Sequence, residues 1–344
     1  MSRFLILAVI VANVALACGP EQPSERIATM PSAAFDSVFR LARTFTPEQP
    51  DSVPLGLVSG VHVAPNGDFV IADVRSSRLT RYDANGRLRA VLGRGGRGPG
   101  EFQAPMFPVV DEHGRVHAMD MQQPRLSVFG ADGKLLRTVS TSALGRVGEF
   151  AILPGGEYLM VAWGHGRREL LIRTDSLGKR ITASLPHADI RPEGQPDLPI
   201  WGNVRNASLA VAGNRAYVVS SLSDTLWAME LPKGGIGATR VTPPGYAPPI
   251  APRENMSNPK AFSQWADSWT TTSLVRASDR GTMVIFVRGV LMRGDSAVAA
   301  YRGPEGAWQG LTGAPIVLAM RSDTVVALMD PNADKLQFGL YVRR

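Results

Sequence analysis

One cysteine, Cys18, is present among 344 residues. No disulfide can close within a single chain, so a packed core has to hold the fold. Long apolar runs are missing too. The one extended run, Phe4 to Ala17, is fourteen residues broken only by Asn13, short of the roughly 20 that a membrane-spanning helix requires. Histidine is scarce: His62, His113, His117, His165 and His187 are all there are, and no pair stands at a zinc-site spacing. There is no Gly-x-Ser-x-Gly, which argues against an ordinary serine hydrolase, and no Gly-Lys-Ser/Thr, which excludes a P-loop. Basic residues exceed acidic ones by 37 to 30, giving +7, but without a Lys/Arg block. Such an excess gives a mild attraction to anionic surfaces; no nucleic-acid module appears, and no nucleic-acid partner is expected.

What is present begins at the N-terminus. Arg3 supplies one positive charge, the apolar run follows, and Ala15-Leu16-Ala17-Cys18-Gly19 resembles a bacterial lipobox, with Ala at the first position. The reading is a signal peptide over 1–17, acylation of Cys18, a tether over 18–33 rich in Pro, Glu and Ser, and a folded unit over 34–344. The protein is then expected to be exported and lipid-anchored to the cell envelope, at the outer membrane or periplasmic face.

An internal repeat of 47 residues decides the architecture. Gly67 and Gly114 are 47 apart, and so are Asp73 and Asp120, Arg78 and Arg125, Leu79 and Leu126, Tyr82 and Phe129, and Gly86 and Gly133. The first unit reads as strands over Val58–Ala64, Phe69–Asp73, Arg78–Tyr82 and Arg87–Leu92. Asn66-Gly67 and Asn85-Gly86 are hairpin turns that tolerate positive φ. Four strands per unit of this length make a propeller blade. Weaker copies start near Leu153, Ala212, Asp279 and Ser322, giving six. The chain stops after the third strand of the last blade, 313–344, so Phe35–Phe45 is expected to supply the fourth and remove an open edge.

Phe69-Val-Ile-Ala-Asp73, Arg78-Leu-Thr-Arg-Tyr-Asp83 and Gly93-Arg-Gly-Gly-Arg-Gly-Pro-Gly-Glu-Phe102 resemble the NHL repeat and its TolB-like relatives among six-bladed propellers. The close match covers 58–140. The resemblance implies an all-β six-bladed propeller of four-stranded antiparallel blades; it implies almost nothing about activity. Gluconolactonase-like propellers hold calcium with acidic and amide side chains in the channel, and that set does not map onto this chain residue by residue. Gly93-Arg-Gly95-Gly-Arg-Gly98 also spells a dinucleotide loop, but Pro99 and Gly100 follow where a helix would have to open.

Asp73 and Asp120, each followed five residues on by Arg78 or Arg125, and Asp330 with Lys335 in the last blade, read as scaffold: each Asp caps its own turn and pairs with the basic residue. Three long connections depart from the repeat, Gly93–Ala104, His187–Gly202 and Pro243–Trp269, and strand alternation puts them on one face. They carry Arg94, Arg97, Trp201, Trp265 and Trp269, expected together as a partner-binding set; the alternative is that the aromatics seal the channel as a small satellite core. His165 is a candidate channel residue. No catalytic residue, metal ligand or cofactor is assigned. Two functions remain. The first is non-catalytic binding of an envelope protein or glycan through the loop-rich face. The second is a lactonase- or lyase-like enzyme, with calcium or another divalent metal at the channel.

Overall fold

The computed structural model describes residues 30–344 apart from 65, 164–168, 187–191, 197, 233, 254–255, 289–296, 305 and 330–335. Cys18, His165, Asp330 and Lys335 lie outside the described residues. Six four-stranded blades form a ring. In blade 1 the strands are Val58–Val63, Phe69–Asp73, Arg78–Tyr82 and Leu88–Leu92, paired antiparallel in chain order. Blades 2 to 5 begin with innermost strands Pro105–Val110, Arg146–Ile152, Ala207–Ala212 and Thr270–Ser278, and blade 6 with Ile316–Arg321. These innermost strands contact one another in cyclic order, the last touching the first.

Burial explains the strand sequences. In Phe69-Val-Ile-Ala, Phe69 and Ile71 pack toward blade 6, while Val70 and Ala72 pack toward blade 2. Successive side chains point to opposite faces, and both faces meet a neighbouring blade, so the strand is apolar throughout rather than alternating. Each of the six junctions between blades has its own apolar cluster. Gly67 and Gly114 sit at φ +86° and +75°, the left-handed region that glycine enters without a Cβ clash, which is why the same turn recurs 47 residues on.

The N-terminal segment closes the ring as expected. Phe39–Phe45 pairs antiparallel with Phe338–Arg343 as the outermost strand of blade 6. Phe39 stacks on Phe35 and meets Tyr301 of blade 5 edge-on, both at 5.1 Å. Before it, a helical turn α1 (Phe35–Val38) reverses the chain, and Ser32–Ala34 adds a parallel fifth strand to blade 5 against Trp308–Ala314. Met30, within the span read as tether, is buried among residues of blades 4 and 5. No helix among the described residues is long and apolar enough to cross a membrane.

Candidate functional site

The connection from blade 1 to blade 2 is held at both ends. Arg94–Gly95 runs parallel to Glu101–Phe102, and the chain goes on into a strand, not a helix. Gly93, at φ +72°, would place a Cβ 2.5 Å from the Phe102 ring, so only glycine permits the approach. The Glu101 carboxylate pairs with Arg94 at 2.9 Å and accepts from the Gly98 N–H at 2.7 Å. Asp120 is buried and accepts from the N–H groups of Gln103 and Ala104 in the connection and of Gln122 and Gln123 in its own turn. Asp73 repeats this, accepting from Gly56, Leu57 and Ser76. Burial alone would raise the Asp73 carboxyl; those N–H donors outweigh it and hold the group below its ordinary range. The expected Asp–Arg pairing needs correction. Arg78 donates to the Pro54 carbonyl, and Arg125 to those of Arg97, Gly98 and Glu101. The carboxylates are already filled by backbone donors, so each arginine clamps the incoming connection instead.

This braced connection forms one wall of a cleft of about 580 Å³ on the loop-rich face. Arg97 and Gln103 come from the connection, Gln122, Gln123 and Pro124 from the next turn, and Arg125, Thr138 and Ser140 from blade 2 strands. The volume lies in the range of small-ligand sites, about 300–1,000 Å³. Arg97 and Gln122 are exposed, and the Arg97 guanidinium makes no hydrogen bond or ion pair among the described residues. The Gln123 amide nitrogen donates to Gly96 O and to Asp120, leaving its carbonyl oxygen to accept. Among the described residues no carboxylate lines the cleft.

The three tryptophans do lie together, but as a packed lid. Trp265 is 5.7 Å from Trp201 and 5.8 Å from Trp269, with Phe262 at 5.8 Å. Helix α3 (Pro259–Ala266) carries Phe262 and Trp265, capped by Asn258, whose side chain accepts from the Lys260 and Ala261 N–H groups; α2 (Ile200–Val204) carries Trp201. The indoles are 1%, 7% and 0% exposed for Trp201, Trp265 and Trp269, because leaving such large apolar surface wet is costly. Trp201 and Trp265 bond the carbonyls of Pro196 and Ile250. The satellite-core alternative describes these residues, and their burial takes the indole faces away from any partner. Arg94 and Arg97, expected beside them, belong to the junction of blades 1 and 2, across the ring. Arg94 is committed to Glu101, so Arg97 is the accessible, uncommitted member of the set.

Two polar clusters were not foreseen. Arg276, on the innermost strand of blade 5, donates to Glu149 of blade 3 at 2.9 Å and to the Leu318 carbonyl of blade 6 at 2.7 Å. Glu149 also accepts from Ser208 Oγ and the Leu209 N–H of blade 4. One guanidinium joining four blades has to lie across the axis. His62 of blade 1 feels it: burial, then the Arg276 charge, push its imidazole down to about 4. These groups satisfy one another, so the cluster is a strut across the channel, with the Glu149 charge already neutralised. The sequence signal was a charge flanked by apolar residues within an inner strand, in Val147-Gly-Glu-Phe150 and Leu274-Val-Arg-Ala277.

Between blades 2 and 3, His117 is buried and bonds Asp111 Oδ2 through Nε2 and the Tyr158 hydroxyl through Nδ1, each at 3.1 Å. Burial lowers His117 to about 4, outweighing the Asp111 carboxylate that favours its charged form. The imidazole is therefore neutral, its Nε2–H donating to Asp111 and Nδ1 accepting from Tyr158. The chain of groups resembles a proton relay, but Tyr158 is 0% exposed and no substrate can reach it. Among the described residues no three His, Cys, Asp or Glu side chains converge as a metal site would require.

No family model and no curated protein matches the chain. Solved structures match over nearly its whole length. A protein of Bacteroides fragilis described as exported is 13% identical, with a TM-score of 0.61 over 91% of this chain and 97% of that one. A DUF4221 family member from Bacteroides vulgatus is 9% identical, at 0.61 over 89% and 98%. A streptogramin B lyase is 11% identical, at 0.52 over 91% and 100%. At such identities the likeness is one of fold, and fold does not fix activity. The chain is a six-bladed β-propeller whose structural neighbours include both a protein described as exported and an enzyme.

Proposed function

We propose that this protein is an envelope lipoprotein of the NHL-repeat-like or TolB-like propeller kind, tethered through Cys18. Its loop-rich face binds an envelope protein or glycan without catalysis. The observation that carries this reading is the cleft at the junction of blades 1 and 2. Its walls are fixed by the Asp120 and Arg125 hydrogen bonds, so a ligand would meet a preformed surface and little ordering cost. The enzyme alternative draws no comparable support from the channel, where Arg276 occupies Glu149.

The test is retention of material from envelope extracts by the wild type, by Arg97→Glu, and by Lys134→Glu. Lys134 lies at the other end of blade 2, 84% exposed by side chain. The wild type and Lys134→Glu should retain the same protein or glycan, and Arg97→Glu should lose it at least about tenfold, as for an anchor worth over 1.4 kcal/mol. Equal behaviour of the two variants would contradict the proposal.

A further inference from the structure

The residues in the cleft narrow the ligand class, and this step rests on the binding reading above. Each lining group can be sorted by what it still has to offer. Arg97 offers a whole guanidinium, exposed and without a partner among the described residues. Gln122 offers an exposed amide, which is both donor and acceptor. Gln123 has spent its N–H₂ and keeps an acceptor. Thr138 adds a hydroxyl from the outermost strand of blade 2, and the Ser140 hydroxyl, already bonded to Ser142 Oγ and accepting from the Ser142 N–H, keeps one further bond. Pro124 is the only apolar lining residue among the described residues.

The large aromatic anchors common at protein hot spots would find here no aromatic partner among the described lining residues, only Pro124 and the aliphatic stems of the arginines and glutamines. A polyhydroxylated ring needs many paired donors and acceptors at short range, which amides and hydroxyls supply. A fork of N–H donors with no competing carboxylate selects a planar anion, and Arg binds a carboxylate bidentately. We infer that the cleft between blades 1 and 2 is a binding site for an acidic saccharide. In this site Arg97 takes a uronate carboxylate, and Gln122, Gln123, Thr138 and Ser140 take the ring hydroxyls.

The repeat supplies an internal comparison. The turn that corresponds to Met121-Gln-Gln-Pro124 in blade 1 is Val74-Arg-Ser-Ser77. The two turns share the Asp that precedes them and the Arg that follows, which are scaffold. They differ at all four positions between, three of which, Gln122, Gln123 and Pro124, line the cleft in blade 2. Scaffold positions recur because the blade recurs, so the place where the repeat breaks is where a site specific to one blade belongs.

The experiment is calorimetric titration of the purified propeller with trimers of galacturonate, mannuronate and glucuronate. A neutral glucose trimer and a tetraglutamate peptide serve as controls. At least one uronate should bind, the neutral trimer at least about tenfold more weakly. Arg97→Gln should lose about tenfold or more for the uronate, Gln122→Ala a few-fold, and Lys134→Gln, at the opposite end of blade 2, nothing. Matching far-ultraviolet spectra would show the variants folded. Binding of tetraglutamate as tight as any uronate, or loss of affinity from Lys134→Gln equal to that from Arg97→Gln, would overturn the assignment. Silence of all three uronates would overturn it too; if Arg97→Glu still abolished retention from extracts, only the ligand class would fall and the binding face would stand.

Discussion

At the scale of single residues, the repeat's aspartates do more than cap a turn. Asp120 joins two segments through buried N–H donors, and truncation would leave several of them unpaired. Each unsatisfied buried donor costs about 1–3 kcal/mol, so Asp120→Ala should lower unfolding stability by roughly 2–3 kcal/mol. Urea denaturation is the check, and a loss below about 0.5 kcal/mol would show that the fastener is not Asp120. His117 and His62 make a second expectation. Both are held near 4 in the folded state, against an ordinary value of 6.5. Below 6.5 the unfolded chain takes up protons that the fold refuses, so stability falls as pH drops from about 6.5 toward about 4. For His117, which is 2% exposed, the loss is on the order of 2–3 kcal/mol. His117→Gln, which cannot titrate, should flatten the change in urea midpoint between pH 7 and pH 4.5. An unchanged slope would mean that His117 is not the group responsible.

At the scale of elements, the ring depends on a strand that is far from its partners in sequence. Phe39–Phe45 pairs with Phe338–Arg343, and Phe39 is 1% exposed between Phe35 and Tyr301. Phe39→Ala removes a buried aromatic at the closure, and should cost about 3–5 kcal/mol and expose the edge of blade 6 to self-association. Light scattering alongside thermal melting reads both effects; a stable monomer would contradict the closure. The blades were legible because the scaffold repeats: the offset of 47 residues marked turn glycines, aspartates and strand positions at once, and Arg78–Tyr82 was read to the residue. The role of Arg78 and Arg125 was not legible, because spacing shows that Asp and Arg are neighbours but not that backbone donors have already filled the carboxylate. The tryptophan lid was half legible. Topology put Trp201, Trp265 and Trp269 on one face and together, but which side of a loop an aromatic covers is settled by packing against α2 and α3, and Arg97 lay across the ring from them.

At the scale of the whole molecule, the proposed tether and the proposed binding face each make a prediction. Cys18→Ser should release the protein from membranes into the soluble fraction, because the thiol is the proposed acylation site; retention after high-salt washing would contradict the tether. The cleft was only partly legible. Arg97 was singled out from the departing loop, whereas Gln103, Gln122, Gln123, Thr138 and Ser140 were not, since polar residues on turns and strand edges look alike until three segments are brought together. The rigid ring gives the proposed binding a direction: a ligand at the cleft would meet the loop-rich face and not the opposite face of the same blade. The direct measurement is photo-crosslinking in intact cells from benzoylphenylalanine placed at Gln122 or at Lys134, at opposite ends of blade 2. The account predicts adducts from position 122, reduced by Arg97→Glu, and none from position 134. Adducts from 134 alone, from both positions equally, or from neither would contradict it.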